Sequence, residues 1–377
     1  MKQSFVTTGV CNLLMFSALA GPAMAGGALK QYDLKDFFGK PERSVFRLSD
    51  DGKTLGFMQP YQRRQNLHVV ALPPDGKAPD FATAKRLTAE TERDIAGFFW
   101  KGNDTILYVK DFGGDENYHL LSVDVKSGSV KDLTPFPRIR ASIVDDLLDD
   151  PEHLLVQHNK RDPQFFDVYR VNVKTGDAQL VAQNPGNITG WITDHAGQVR
   201  MASTSDGVNT SLLYRASEKD AFKTILTTDF RTSVSPLFFT FDNKSLYALS
   251  NRGRDKTALV LLDPNNGTES QPLFEHPEVD LGGVSYSHKR KLLTQASFTT
   301  WKSQRHFFDA ETKAIYTRLQ EKLPGYEISL QSENLAEDTF VVAAYNDRTQ
   351  GARYVYSVTT DTLTPLGEIN PRINPAD

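Results

Sequence analysis

Tyr118-His119-Leu120-Leu121-Ser122-Val123-Asp124-Val125-Lys126-Ser127-Gly128 is echoed by Phe166-Asp167-Val168-Tyr169-Arg170-Val171-Asn172-Val173-Lys174-Thr175-Gly176. Each copy is a β-branched, apolar-rich strand running into a polar hairpin that ends on glycine. One strand and turn used twice at a fixed interval is the mark of a repeat architecture, with a period of roughly 40 to 50 residues. Working outward, comparable units open near Val45, Asp94, Arg140, Asn187, Val234, Asp280 and Glu327. The spacing is nearly even, and it yields seven units.

Within each unit an apolar or small stretch is followed by a turn rich in Asp, Asn or Gly, such as Ser49-Asp50-Asp51-Gly52, Asp194-His195-Ala196-Gly197 or Asp242-Asn243-Lys244. These residue types tolerate left-handed backbone or initiate type I turns. A second strand follows, for example Thr105 to Val109, His153 to Gln157 and Thr339 to Ala344. Several of these are apolar on both faces, as expected for a sheet sandwiched between neighbours. Further hairpins are read at Asp263-Pro264-Asn265-Asn266-Gly267, Ala310-Glu311-Thr312-Lys313 and Thr360-Asp361-Thr362, and short fourth strands at Arg86-Leu87-Thr88, Asp132-Leu133-Thr134 and Gln179-Leu180-Val181. Seven units of four strands predict an all-β fold, a seven-bladed β-propeller of four-stranded antiparallel blades over residues 44–367. The only helical opening expected is Leu34-Lys35-Asp36-Phe37-Phe38, capped by Asp33, within an N-terminal extension at 26–43.

Residues 1–25 read as a secretory signal: Lys2, an apolar stretch from Val10 to Ala20, and Ala23-Met24-Ala25 before Gly26. Asn12 and Gly21-Pro22 interrupt it too early for a membrane span, so none is expected after signal removal, and the location expected is periplasmic or secreted. The single cysteine, Cys11, lies inside that signal, which leaves the mature chain without a thiol or disulfide. The formal charge of −4 and scattered basic residues offer no field for a nucleic-acid backbone or an anionic membrane.

No catalytic motif is present. A Ser-His-Asp hydrolase displays its serine on a G-x-S-x-G elbow, and the nearest approach, Gly283-Val284-Ser285-Tyr286-Ser287, lacks the second glycine. His153 and His158 are an odd number of residues apart, so a strand points them to opposite faces, and no metal site or cofactor is expected. Asp145-Asp146, Asp149-Asp150 and Asp115-Glu116 are neighbours of the kind found in turns. Trp100 and Trp191 occupy first-strand positions suited to core packing, and Trp301 lies in a loop.

The loops between second and third strands of a blade all emerge on one face. That rim would carry Tyr61 and Arg64, Asp115 and Glu116, Arg161 and Asp162, Asp206, Arg252 and Arg254, Trp301, and Asp347 and Arg348. Solvated loop charge is the simplest reading. The functional one makes Asp115, Glu116, Arg161, Arg252, Arg254 and Arg348 a rim for a substrate or partner.

Phe112-Gly113-Gly114-Asp115-Glu116-Asn117-Tyr118-His119-Leu120, the run from Arg161-Asp162-Pro163 to Arg170, and the ending Leu366-Gly367-Glu368-Ile369-Asn370-Pro371 resemble dipeptidyl-aminopeptidase and acylaminoacyl-peptidase members of the prolyl oligopeptidase family of serine peptidases. The resemblance spans essentially the whole mature chain. It implies a propeller that limits access to an α/β-hydrolase domain following it in sequence. On that reading residues 368–377 are a shortened linker toward a domain this chain lacks, and the chain alone is inactive as a peptidase. The partners implied are peptides or a hydrolase domain or chain. The alternative is an autonomous periplasmic propeller serving as a protein-interaction scaffold, because fold does not fix function. From its two prolines, the segment 366–377 is expected to be poorly packed, next to an exposed apolar patch.

Overall fold

The computed structural model describes residues 30–374; the expected signal, with Cys11, lies outside the described residues. Seven antiparallel sheets follow one another along the chain, each built from consecutive strands. Their first strands are Ser44–Leu48, Gly97–Lys101, Ala141–Asp145, Ile188–Thr193, Val234–Phe239, Leu281–Ser287 and Glu327–Glu333, close to the seven predicted openings. First strands touch in turn from blade 7 through 1 to 2 and from blade 3 through 4 to 5, so the first strands stand around the ring axis with the later strands outward. This is the seven-bladed β-propeller expected.

Burial explains why the second strands are apolar on both faces. In blade 2, Ile106 and Leu107 are adjacent, point oppositely, and are both fully buried, because each face of the blade packs on a neighbour. Ile106 belongs to a cluster with Met58 and Leu67 of blade 1, and Leu107 to one with Leu154 and Val171 of blade 3. The repeated hairpin is repeated in atomic detail. Asp124 Oδ1 accepts from Ser127 N at 2.6 Å, Asn172 Oδ1 accepts from Thr175 N at 3.0 Å, and Gly128 and Gly176 close the turns at φ 75° and 76°.

Two blades depart from the four-strand expectation. Five sheets have four strands, whereas blades 5 and 6 have three. In blade 5 the fourth strand is reduced to bridges of Leu259 with Phe274 and Leu262 with Glu269. In blade 6 the segment read as a hairpin at Ala310-Glu311-Thr312-Lys313 is instead the start of a helix, Ala310–Lys322. Asp309 caps it by accepting from Thr312 N and Oγ1 at 2.8 and 2.7 Å. Ile315, Leu319 and Leu323, four residues apart, pack on Ile328, Phe340 and Tyr356 of blade 7, which fixes the segment as helix. The short helix Leu34–Phe38 forms where expected, after Asp33.

The ring closes without strand exchange, since blades 1 and 7 are each complete from their own segment. Their seam is held by Leu48 N donating to Ser332 Oγ at 3.0 Å, Leu335 N to Asp50 O at 2.9 Å, and an apolar cluster joining Phe46, Leu48 and Phe57 to Val341 and Leu366.

The expected loose tail is a correction. Leu366 and Asn370 are buried, Asn370 Nδ2 donates to Asp36 O at 2.7 Å, Arg372 Nη2 to Gly39 O at 2.8 Å, and Asn374 N to Tyr32 Oη at 2.9 Å. Pro371 opens a turn in which Ile373 N donates to Asn370 O, and the polar groups of the described tail, to Asn374, bond to the N-terminal extension.

Candidate functional site: the rim and the channel mouth

Both ends of the described segment and the loops between second and third strands lie on one face. The mixed charges predicted there are present, but several of them hold the loops. Arg161 forks onto buried Asp167, with Nε and Nη2 at 2.7 and 2.9 Å, and also donates to Asn184 O at 2.9 Å. Arg254 donates to Glu269 Oε2 at 3.3 Å, and Arg252 to Gly267 O at 3.0 Å. Asp115 accepts from Asn117 N at 3.0 Å, closing an Asx turn, and Glu116 sits at φ 57° with its N–H on Asp111 Oδ2 at 3.3 Å. Arg348 N donates to Asn346 Oδ1 at 3.0 Å. These residues share a face but do not converge on one point.

The same face carries a feature sequence reading left undrawn: exposed apolar side chains from most blades. Phe112 of blade 2, Val208 of blade 4, Phe230 before blade 5, Trp301 of blade 6 and Tyr345 of blade 7 all stand in solvent, as does Phe38 of the entry helix. Trp301 and Phe38 are each 82% exposed. Singly exposed hydrophobic side chains are ordinary on a protein surface; here six of them share one face. Trp100, by contrast, is buried as expected, with Nε1 donating to Arg47 O at 3.0 Å. Trp191 is half-buried against Phe222.

At the opposite end of the channel the first strands finish, and their turns bring together groups distant in sequence. A cavity of about 520 Å³ is lined there by Asp145, Asp146, Thr193, His195, Phe238 and Tyr286, among others. Burial between the ring walls, reinforced by Asp145, raises the Asp146 carboxyl above its ordinary range. Burial, with Glu337 adding to it, pushes Glu333 up to about 7. Both residues are nevertheless exposed, so solvent screens a good part of these shifts. Asp50 is raised by burial as well. Lys101 is buried, its ammonium directed at the backbone oxygens of Asp146 and, at 2.8 Å, of Leu147, and burial lowers its pKa. Convergent ionisable groups of this kind were not recognisable in the sequence, where each ends an unremarkable strand of a different blade.

Ser285 lies in mid-strand, paired with Gln295, not on the strand-to-helix turn that a nucleophile elbow requires. His158 is buried and stacked on Tyr169 with ring centroids 4.1 Å apart, and burial lowers its pKa to about 4, while His153 bonds to Asp150. Among the described residues no three His, Cys, Asp or Glu side chains gather as metal ligands.

No family model matches the chain. Over 345 residues it is 31% identical to dipeptidyl aminopeptidase BIII of Pseudoxanthomonas mexicana, covering 89% of this chain and 48% of that protein. It is 22% identical over 266 residues to dipeptidyl peptidase family member 6 of Caenorhabditis elegans, covering 66% of this chain and 35% of that one. The chain therefore spans about half, or less, of the curated relatives it matches. Among solved structures, prolyl oligopeptidase B of Galerina marginata superimposes with a TM-score of 0.58 over 90% of this chain and 52% of that one, at 12% identity, a likeness of fold.

Proposed function

The chain belongs to the N-terminal propeller region of the prolyl oligopeptidase family of serine peptidases, and from that premise we propose that it is the non-catalytic, substrate-gating part of an exported peptidase acting on peptides. The carrying observation is the set of exposed apolar side chains, among them Phe38, Phe230 and Trp301, on the face that holds both ends of the described segment. An α/β-hydrolase domain seated there would cover them, and interfaces between domains bury roughly 600 to 1,500 Å². The six charged rim residues Asp115, Glu116, Arg161, Arg252, Arg254 and Arg348 then surround that contact and orient it. The gating role follows from the ring itself: a covered face leaves the channel, or a gap at the rim, as the way in for a peptide. The N-terminal segment, with Lys2, its apolar run and Ala23-Met24-Ala25, supports export.

The test is binding of this chain to a prolyl-oligopeptidase-type α/β-hydrolase domain supplied as a separate polypeptide, followed by calorimetry. Saturable binding that is lost on replacing Phe230 and Trp301 with serine supports the reading. Absence of binding by the folded wild-type chain, or binding indifferent to both substitutions, overturns it.

A further inference from the structure

Blade 6 ends on its third strand, Ser303–Phe307, because the helix Ala310–Lys322 follows where five other blades lay a fourth strand. The parity of the ladder fixes which way the backbone of that last strand points. Thr300 N donates to Lys302 O at 3.1 Å and Phe308 N to Thr294 O at 2.9 Å. The even-numbered residues are therefore bonded inward to the second strand, and Ser303, Arg305 and Phe307 turn their N–H and C=O groups outward. Among the described residues no strand, backbone group or side chain bonds to those outward groups. Blade 5, the other three-stranded sheet, is different: Leu259 N donates to Phe274 O at 2.9 Å, Leu273 N to Leu259 O at 2.8 Å and Ser270 N to Leu261 O at 2.9 Å. That edge is covered, and four of the five residues of its strand Ala258–Leu262 are buried, whereas none of Ser303–Phe307 is.

The two sides of the open edge differ in chemistry. Toward the helix, Arg305 lies over the Tyr316 ring at 4.5 Å, and Phe307 packs on the same ring at 5.5 Å. Toward blade 5, His306 stacks on Phe274 at 4.0 Å. Arg305 Nη2 donates to Ile328 O at 2.7 Å and Lys302 Nζ lies over the Trp301 ring at 4.8 Å; neither cation has a carboxylate partner among the described residues. An added strand would place its side chains alternately on the two sides, each beside its opposite number on the edge. The pattern that fits is acidic beside Arg305 and apolar beside His306 and Phe274. A second copy of this strand fits badly: paired about a two-fold axis through its centre, Arg305 would face its own counterpart, and like charges directly opposite are destabilising.

We propose that the open edge of blade 6 is a strand-addition site for another protein, an extended segment of alternating acidic and apolar residues that docks as the fourth strand this blade lacks. Backbone bonds to Ser303, Arg305 and Phe307 hold the segment, and the side chains set its identity. Its acidic residues meet Arg305, and Lys302 at the start of the strand adds to the attraction. Open edges are commonly blunted by a charged side chain, but Arg305 is drawn aside onto blade 7 and Tyr316.

The probe is a fluorescein-labelled peptide of alternating glutamate and valine, long enough to span Ser303–Phe307, compared by anisotropy with its lysine–valine counterpart. The glutamate peptide is expected to bind and to weaken in about 0.5 M salt, and the lysine peptide not to bind. Hydrogen exchange followed by mass spectrometry is expected to slow across residues 303–307 when the glutamate peptide is present. Ser303→Pro removes an outward donor at a position where an edge strand tolerates proline, and is expected to weaken binding about tenfold. Arg305→Gln is expected to weaken it about two- to fivefold and to reduce its salt dependence. If the proline variant does not fold, the affinity of Arg305→Gln and the exchange of the wild-type chain still decide. Absence of binding by the glutamate peptide, equal affinity for the two peptides, or binding without slowed exchange at 303–307 overturns the proposal. So does dimerisation of the chain, read by light scattering and abolished by Ser303→Pro, which would make a second copy the occupant. The assay needs this chain alone, so its failure is distinct from a failure of docking through Phe230 and Trp301.

Discussion

The side-chain amide of Asn370 reaches the backbone oxygen of Asp36 at 2.7 Å, so the segment leaving the last blade is fastened to the helix that precedes the first. Arg372 adds donors to the same helix end, with its Nη2 at 2.8 Å from Gly39 O.

Removing that tie has a definite cost. Asn370→Ala deletes a buried donor and leaves the Asp36 carbonyl dependent on Arg372 and water, a loss of about 1 kcal/mol. Urea unfolding should show a lower midpoint with an unchanged slope, and limited proteolysis should find new cleavage near residues 366–374. An unchanged midpoint would show that the tail contributes nothing to the ring.

The helix that replaces the fourth strand of blade 6 bears weight in the same sense. Leu319 is fully buried against the blade 7 cluster, and Leu319→Ala is expected to cost roughly 2–5 kcal/mol, the range for opening a cavity in a packed core. Thermal and urea denaturation measure this; a change of no more than about 0.5 kcal/mol, the scatter of surface substitutions, would mean the helix is an appendage.

Glu333 sets one pH dependence. Its folded pKa is raised to about 7 from 4.5, so between those values the native chain holds more protons than the unfolded one, and stability falls as pH rises through that window. Glu333→Gln should therefore stabilise the protein at pH 8 and leave it nearly unaltered at pH 4, by an amount on the order of 1 kcal/mol after screening by solvent in the channel. Urea midpoints at the two pH values decide it, and equal effects at both would contradict the assignment.

His158 works in the opposite direction. Burial lowers its folded pKa to about 4 from 6.5, so the unfolded chain takes up the proton first, and stability is lost as pH falls from 6.5 toward 4. His158→Gln should flatten the pH dependence of the urea midpoint in that window. A curve as steep as wild type would place the titration elsewhere.

A fluorophosphonate probe should label no serine in this chain, since Ser285 stands in mid-strand beside Gln295. Mass spectrometry of the treated protein checks this, and stoichiometric label on Ser285 would be decisive against it.

How much of this was legible beforehand depended on range. The blade openings at Val45, Val234 and Glu327, and the twin hairpins at Asp124 and Asn172, were readable because turns and strand alternation are encoded within a few neighbouring residues. The helix after Asp309 was misread because Ala310-Glu311-Thr312-Lys313 has the polarity of a hairpin, and its apolar stripe of Ile315, Leu319 and Leu323 acquires meaning only against blade 7. The loops that carry the rim charges were legible, but the engagement of those charges was hidden: whether Arg161 is free or forked onto Asp167 depends on side-chain geometry six residues away. The channel mouth was invisible for a stronger reason. Asp146, Tyr286 and Glu333 are neighbours only because the ring bends through seven blades, and a sequence read along its length carries no radial coordinate.

Each blade is made from one uninterrupted stretch of chain, including the two that meet at the seam. Such a ring is, topologically, a bracelet of self-contained links with an open clasp. A whole link can be duplicated, deleted or moved to the other end by a single cut in the gene without severing any sheet. The count of seven is thus held by the angle at which neighbouring links pack, and by nothing in the connectivity.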